Sequence, residues 1–414
     1  MNKYFIILVL QIITIRSFGQ YPIWTVYDTS NSGLPNNRAR IVVIDSNQNK
    51  WIGTYYGGLA YFDGMNWTIY NTSNSGIASN SIVAIAIDSN QNKWLGTIGG
   101  GLSKFDGVNW TTYDTSNSDL PNNFVYAVTI DSNQCKWIGT FDGLAKFDGE
   151  NWTIYNSDNS DLPSNDIRDI TIENNNKWLG TFHSGVVKFD DTTWTIYNTS
   201  NSGIPSNIVY NIEIDDSLNK WIGTSALGMG LAKFDDSNWI VFDTGNSGLP
   251  GNNIAETVID NYQNKWVCTV GGGLAKFDDY NWTVFDTSNS MLPSNKVWSL
   301  AIDIYGNKWV GTANGLAVYN EFGVVGDFHE TRAEEMKLNI FPNPADEKIT
   351  IAFENNDPNQ FAISIFNITS QQVVYLNRKM QSPIIVDVSF LTKGIYILNI
   401  RRKNKNLTRK LIIQ

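Results

Sequence analysis

Short runs that alternate apolar and polar residues fill most of this chain, each closed by Asp, Asn or Gly. Residues 82–113 show the pattern in full. Ile82–Ile87, Lys93–Thr97, Leu102–Phe105 and Trp110–Tyr113 read as four strands. Between them lie Asp88-Ser89-Asn90-Gln91-Asn92, Gly99-Gly100-Gly101 and Asp106-Gly107-Val108-Asn109, whose residue types favour tight reversals. A polar link, Thr115–Asn123, leads to the next such set. One tryptophan of each set follows a lysine: Trp51, Trp94, Trp137, Trp178, Trp221, Trp266 and Trp309. Another opens W-[TI]-x-[YF]: Trp24, Trp67, Trp110, Trp152, Trp194, Trp239 and Trp282. The steps run 41 to 45 residues, the length of one four-stranded propeller blade.

Counting strands sharpens this. The chain opens on a fourth-strand motif, Ile23–Tyr27, and no such motif follows the last inner set, which ends at Ala317-Val318-Tyr319. The N-terminal strand is therefore expected to complete the seventh blade and cover both sheet edges. After residues 321–336, read as a linker, the texture changes to short alternating strands near Ile349–Phe353, Phe361–Phe366, Gln372–Leu376, Ile384–Val388, Ile395–Ile400 and Leu407–Ile412. These predict a small β-sandwich. The fold class is thus all-β: a seven-bladed propeller over 21–320, then a sandwich over 337–414.

The run L-P-[SN]-N-x-[IV] … D-x-x-x-N-K-W-[IL]-G-T-x-x-G-G-L-x-[KY]-F-D resembles the two-component regulator propeller repeat, seven times over residues 22–319. In that family the repeats often form the outer sensor of large hybrid kinases. Here the residues after the propeller read as neither membrane span, kinase nor DNA-binding region. Phe341-Pro342-Asn343-Pro344, Lys393-Gly394-Ile395-Tyr396 and the basic end through Lys410 resemble the type IX secretion C-terminal sorting domain. That resemblance implies handling by the type IX machinery, export across two membranes, removal of the domain, and release or attachment at the cell surface.

Charge and termini agree with two units of different role. Residues 1–329 hold 18 Lys and Arg against 32 Asp and Glu, a balance of −14; residues 330–414 hold 12 against 8, a balance of +4. An acidic body disfavours nucleic acid, whose phosphates it would repel. Lys3, the apolar run Tyr4–Ile15 and Ser17-Phe18-Gly19 read as a signal peptide over 1–20. No transmembrane anchor is expected. Cys135 and Cys268 replace an Asn and a Gly in different units, so no bridge is expected between them.

The repeat is its own control, because a residue found in every unit serves the blade. Asp45, Asp88, Asp131, Asp215, Asp260 and Asp303 each open a turn, and backbone capping accounts for them better than calcium. The Lys and Trp of K-W are likewise structural. Positions that vary are free for a ligand. Five residues after the link proline, or Ala78 in its place, the chain reads Arg40, Val83, Tyr126, Arg168, Tyr210, Ala255 and Trp298. Arg40, Tyr126, Arg168, Tyr210 and Trp298 are the candidate ligand-binding residues, expected to converge on one mouth. Nearby single-copy positions are Arg38, Asp166, Asp169, Asn211, Glu256 and Lys296, with Tyr55, Tyr56, Phe141, Asp142, Phe182, His183 and Asn314 in the glycine turns.

The leading expectation is a non-catalytic recognition module binding an extracellular glycan or another polymer. The alternative is a polysaccharide lyase or glycosidase using Asp166, Arg168, Asp169, His183 and Glu256. A third is a structural or adhesive surface protein with a protein partner. No metal or cofactor is expected, since no His, Asp and Glu cluster has ligand spacing and the glycine triplets precede no helix.

Overall fold

The computed structural model describes residues 23–225, 229–321, 323–324, 338–353, 360–367, 372–379, 383–402 and 405–414. The expected signal peptide and most of the expected linker lie outside the described residues. The chain divides into two compact units, 1–327 and 328–414.

The first unit is a seven-bladed β-propeller. Six four-stranded antiparallel sheets form from consecutive strands. The seventh joins Val297–Ile302, Lys308–Thr312 and Gly315–Tyr319 to the N-terminal strand Trp24–Tyr27. Trp24 lies opposite Tyr319 and Tyr27 opposite Leu316, so the expected closure occurs, with the strand starting one residue later than the pattern suggested. In blade 2 the four strands have the bounds that the alternation predicts.

Polar and aromatic groups join at every seam between blades. Each K-W lysine is buried. Its ammonium lies over the indole of the preceding blade: Lys93 over Trp51 at 4.6 Å, Lys136 over Trp94 at 4.8 Å, Lys177 over Trp137 at 4.6 Å and Lys220 over Trp178 at 4.8 Å. Lys265 over Trp221 and Lys308 over Trp266, both at 4.9 Å, continue the series, and Lys50 over Trp309 at 4.8 Å closes it. Burial lowers the pKa of Lys93 and Lys308, and the indole faces offset part of that cost.

The indoles are held in turn by the first-turn acids. Each Nε1–H donates to a carboxylate at 2.9–3.0 Å. In blade 2 the other Asp88 oxygen accepts the backbone N–H groups of Asn90 and Asn92. The turn reading of these aspartates therefore holds. Blade 4 uses Glu173 instead. Its turn is shorter by one residue, with strands Ile167–Glu173 and Asn176–Thr181, and the longer side chain still reaches Trp178. Glu173 also pairs with Lys220 of the next blade at 2.9 Å.

The second unit has two sheets. One orders Leu338–Phe341, Lys348–Phe353 and Ile384–Asp387; the other orders Gln372–Lys379, Gln360–Phe366, Gly394–Arg402 and Lys405–Ile413. Ile349, Ile351, Ile363, Ile365, Leu398 and Ile400 fill the core between them. The alternation located six of these strands; Leu338–Phe341, in the F-P-N-P opening, is the addition. Cys135 and Cys268 are buried and unbridged.

Trp24 is buried, with its ring 4.6 Å from Tyr319 and 5.8 Å from Phe285. Trp24→Ala should therefore lower unfolding free energy in urea by about 3–5 kcal/mol. A loss under about 1 kcal/mol would mean that the ring closes without this strand.

Candidate ligand-binding mouth

The long links and the glycine turns lie on one face and are fastened together. A buried apolar residue, Leu34, Ile77, Leu120, Leu162, Ile204, Leu249 or Leu292, anchors each link in the core. The Asn that ends each link accepts a backbone N–H eight residues earlier, as Asn123 does from Thr115 at 3.0 Å. Its carbonyl accepts the N–H of the preceding blade's turn glycine, as Asn123 does from Gly101 at 2.9 Å. That glycine has φ +81°, and a Cβ there would lie 2.3 Å from the Tyr113 carbonyl oxygen. Only glycine fits such a contact.

The innermost strand then begins with a bulge. In blade 1, Ala39 pairs with Thr54 and Ile41 with Gly53, leaving Arg40 extra. The same shift leaves Val83, Tyr126, Arg168, Tyr210, Ala255 and Trp298 extra in blades 2 to 7. The seven positions singled out in the sequence are therefore the seven bulged residues, and a bulge re-aims its side chain. Two residues before each bulge, a carbonyl accepts the N–H of a glycine-turn residue: Tyr55 to Arg38 at 3.0 Å, Phe141 to Phe124 at 3.1 Å, and Phe182 to Asp166 at 3.0 Å. This bond sets the rim.

The described contacts sort the candidates into two arcs. On blades 3 to 5, the Arg168 guanidinium carbon sits 3.9 Å from the Tyr126 centroid, 4.6 Å from Phe182 and 5.8 Å from Tyr210. Its Nη2 pairs with Asp166 at 2.7 Å. His183 is exposed and edges Phe182 at 4.7 Å, while Phe124 and Phe141 stand exposed beside them. On blades 7 and 1, Trp298 meets Tyr55 at 5.7 Å, Tyr55 meets Tyr56, and Arg38 lies over Tyr56 at 5.8 Å. Arg38 and Lys296 are exposed. In ring order blade 4 faces the junction of blades 7 and 1, so the arcs oppose each other. Asp142 and Asn314 are exposed on their turns.

Three other candidates do different work. Asp169 accepts the backbone N–H of Ile212 in the next blade at 2.6 Å, Asn211 that of Thr257 at 2.7 Å, and Glu256 that of Leu300 at 2.7 Å. Each follows its bulge by one residue and ties its inner strand to the next. Burial pushes Asp169 and Glu256 up to about 7; the N–H of Ile212 and that of Leu300 pull the other way, as does Arg40 on Glu256. Glu213, which sequence reasoning missed, is pushed up to about 8 by burial and then by Glu256 and Asp169. Its signal was available, since the equivalent positions are Val43, Ala86, Thr129, Thr171, Val258 and Ala301. Among the described residues no group of His, Cys, Asp and Glu could hold a metal, and no helix is long and apolar enough to cross a membrane.

Residues 339–414 match the family of secretion system C-terminal sorting domains. The C-terminal unit is a sorting domain. The protein is thus exported by type IX secretion to the cell surface or outside the cell. No curated protein matches the sequence. Among solved structures, PorZ, an essential surface component of the type IX secretion system of Porphyromonas gingivalis, is similar at 17% identity and TM-score 0.59. The alignment covers 94% of this chain and 60% of PorZ. The extracellular domain of a hybrid two-component system from B. thetaiotaomicron aligns at 19% identity and TM-score 0.49, over 92% of this chain and 62% of that one. The chain thus spans less than two thirds of both. Virginiamycin B lyase from Staphylococcus aureus aligns at 12% identity and TM-score 0.58, over 71% of this chain and 98% of the lyase. At these identities the likeness to PorZ and to the lyase is one of fold alone.

The seam carboxylates carry a pH prediction. Glu256 has a folded pKa of about 7, above the usual carboxylate value, so its stabilising contribution is complete below about pH 4 and is lost as pH rises through 7. Glu256→Gln keeps an acceptor for Leu300, as Asn211 does for Thr257 without charge. It should be more stable than the parent by about 2–3 kcal/mol at pH 8 and equal to it near pH 4, by urea unfolding. Equal destabilisation at both pH values would contradict the assignment.

Proposed function

We propose that the propeller mouth is a non-catalytic recognition surface for an extracellular glycan, presented by type IX export at the cell surface or beyond it. One observation carries this reading: the rim is where the sevenfold repeat breaks, and on two opposed arcs it breaks toward aromatic side chains. Tyr126, Phe182 and Tyr210 form one arc and Trp298, Tyr55 and Tyr56 the other. Aromatic faces pack against the apolar faces of sugar rings, and arginine edges donate to hydroxyl and carboxylate oxygens. Arg38 and Lys296 stand at the second arc. Backbone hydrogen bonds fasten each glycine turn to the next link in the frame beneath, which keeps the ordering cost of binding small.

Several of the residues that would serve an enzyme are engaged in the fold. Asp169 and Glu256 hold blade seams, and Asp166 is paired with Arg168.

The purified protein, applied to an array of glycans and polysaccharides, should bind without shortening them. Trp298→Ala and Tyr126→Ala should each weaken the best ligand by about tenfold or more. Chain shortening, lost in Asp166→Asn, would replace this reading with the enzyme; binding to no glycan would replace it with a protein partner.

A further inference from the structure

Blade 4 leaves hydrogen-bonding capacity unused within the mouth. Arg168 Nη2 donates to Asp166 Oδ2 at 2.7 Å, yet Arg168 Nε and Asp166 Oδ1 are both buried without a partner. Asp166 is only 7% exposed. Unsatisfied buried polar groups of this kind are rare and costly in folded proteins. Here a donor and an acceptor are left open on the same ion pair. Aromatic rings from three blades surround the guanidinium: Tyr126 of blade 3, Phe182 of blade 4 and Tyr210 of blade 5. The pair cancels its own charge, so the enclosure favours a neutral group over a carboxylate or sulfate.

Building on the glycan reading, we propose that this enclosure is a subsite for the acetamido group of an N-acetylated sugar. The acetamido carbonyl accepts from Arg168 Nε–H, its N–H donates to Asp166 Oδ1, and its methyl group packs on the aromatic rings. A hydroxyl supplies a donor and an acceptor but leaves the aromatic walls facing water. An acetamido group brings one acceptor, one donor and one apolar end in a single plane. Both open atoms are buried, so binding includes a turn of Arg168. That residue stands on the bulge, where the strand ladder holds it least.

The test is calorimetric titration of the full chain with three tetrasaccharides of β-1,4-linked sugars: fully N-acetylated glucosamine, fully de-N-acetylated glucosamine, and glucose. The acetylated tetramer should bind 10- to 100-fold more tightly than the other two, as expected where buried polar groups select a ligand's amide. Asp166→Ala and Arg168→Lys should each abolish that preference, bringing the affinities for the three tetramers to within about twofold of one another. Two variants that alter the pair differently guard against a folding defect, which thermal melting would reveal. Equal affinity for all three tetramers overturns the acetamido subsite and leaves the glycan reading standing. Failure to bind any glycan on the array overturns both.

Discussion

Everything in the propeller depends on the stacked arrangement of lysine, tryptophan and carboxylate that recurs at its seams. A buried ammonium is costly unless something replaces its water. Here the indole of the preceding blade supplies one face, and a carboxylate or carbonyl supplies a hydrogen bond where the geometry allows. Lys220 accordingly has Glu173 and Asp236, whereas Lys93 has the Gln91 carbonyl. The carboxylate that holds each indole also folds the turn at its own strand end. Turn, sheet and seam are therefore one cooperative unit, and a change at any member is felt in two blades.

That coupling explains what varies and what does not. Link and glycine turn are tied by backbone bonds in every blade, so the mouth keeps its outline whichever side chains occupy it. The bulged position lies outside the ladder's pairing, and its seven occupants range from Ala255 to Trp298. Substitution there leaves the ladder intact, which is why chemical diversity collects at that point.

Most of the architecture was legible because it is local and repeated. Strand limits in blade 2 follow from alternation and turn residues alone, and closure follows from counting strands. Glu173 escaped notice because its blade shortens the turn and lengthens the side chain together, a compensation visible only once Trp178 is placed. The bulges escaped because an extra residue leaves no mark in a pattern of apolar and polar letters. Reading Asp169 and Glu256 as free polar groups near the mouth failed for another reason. Their partners, Ile212 and Leu300, lie a full blade away in sequence, and a hydrogen bond to a backbone N–H carries no residue signature. The grouping of Tyr126, Arg168 and Tyr210 apart from Trp298 likewise needed the ring order made concrete.

Closure by Trp24–Tyr27 has a consequence for how the ring is assembled. Six blades can form as neighbours in sequence meet, with each sheet complete within its own stretch of chain. The seventh requires the strand of four residues at the start to find a partner in Gly315–Tyr319. That pairing spans nearly the whole domain and is the slowest kind of contact to make. Until then blade 7 keeps an unpaired edge, so folding stays open to templated association until its first strand is placed last.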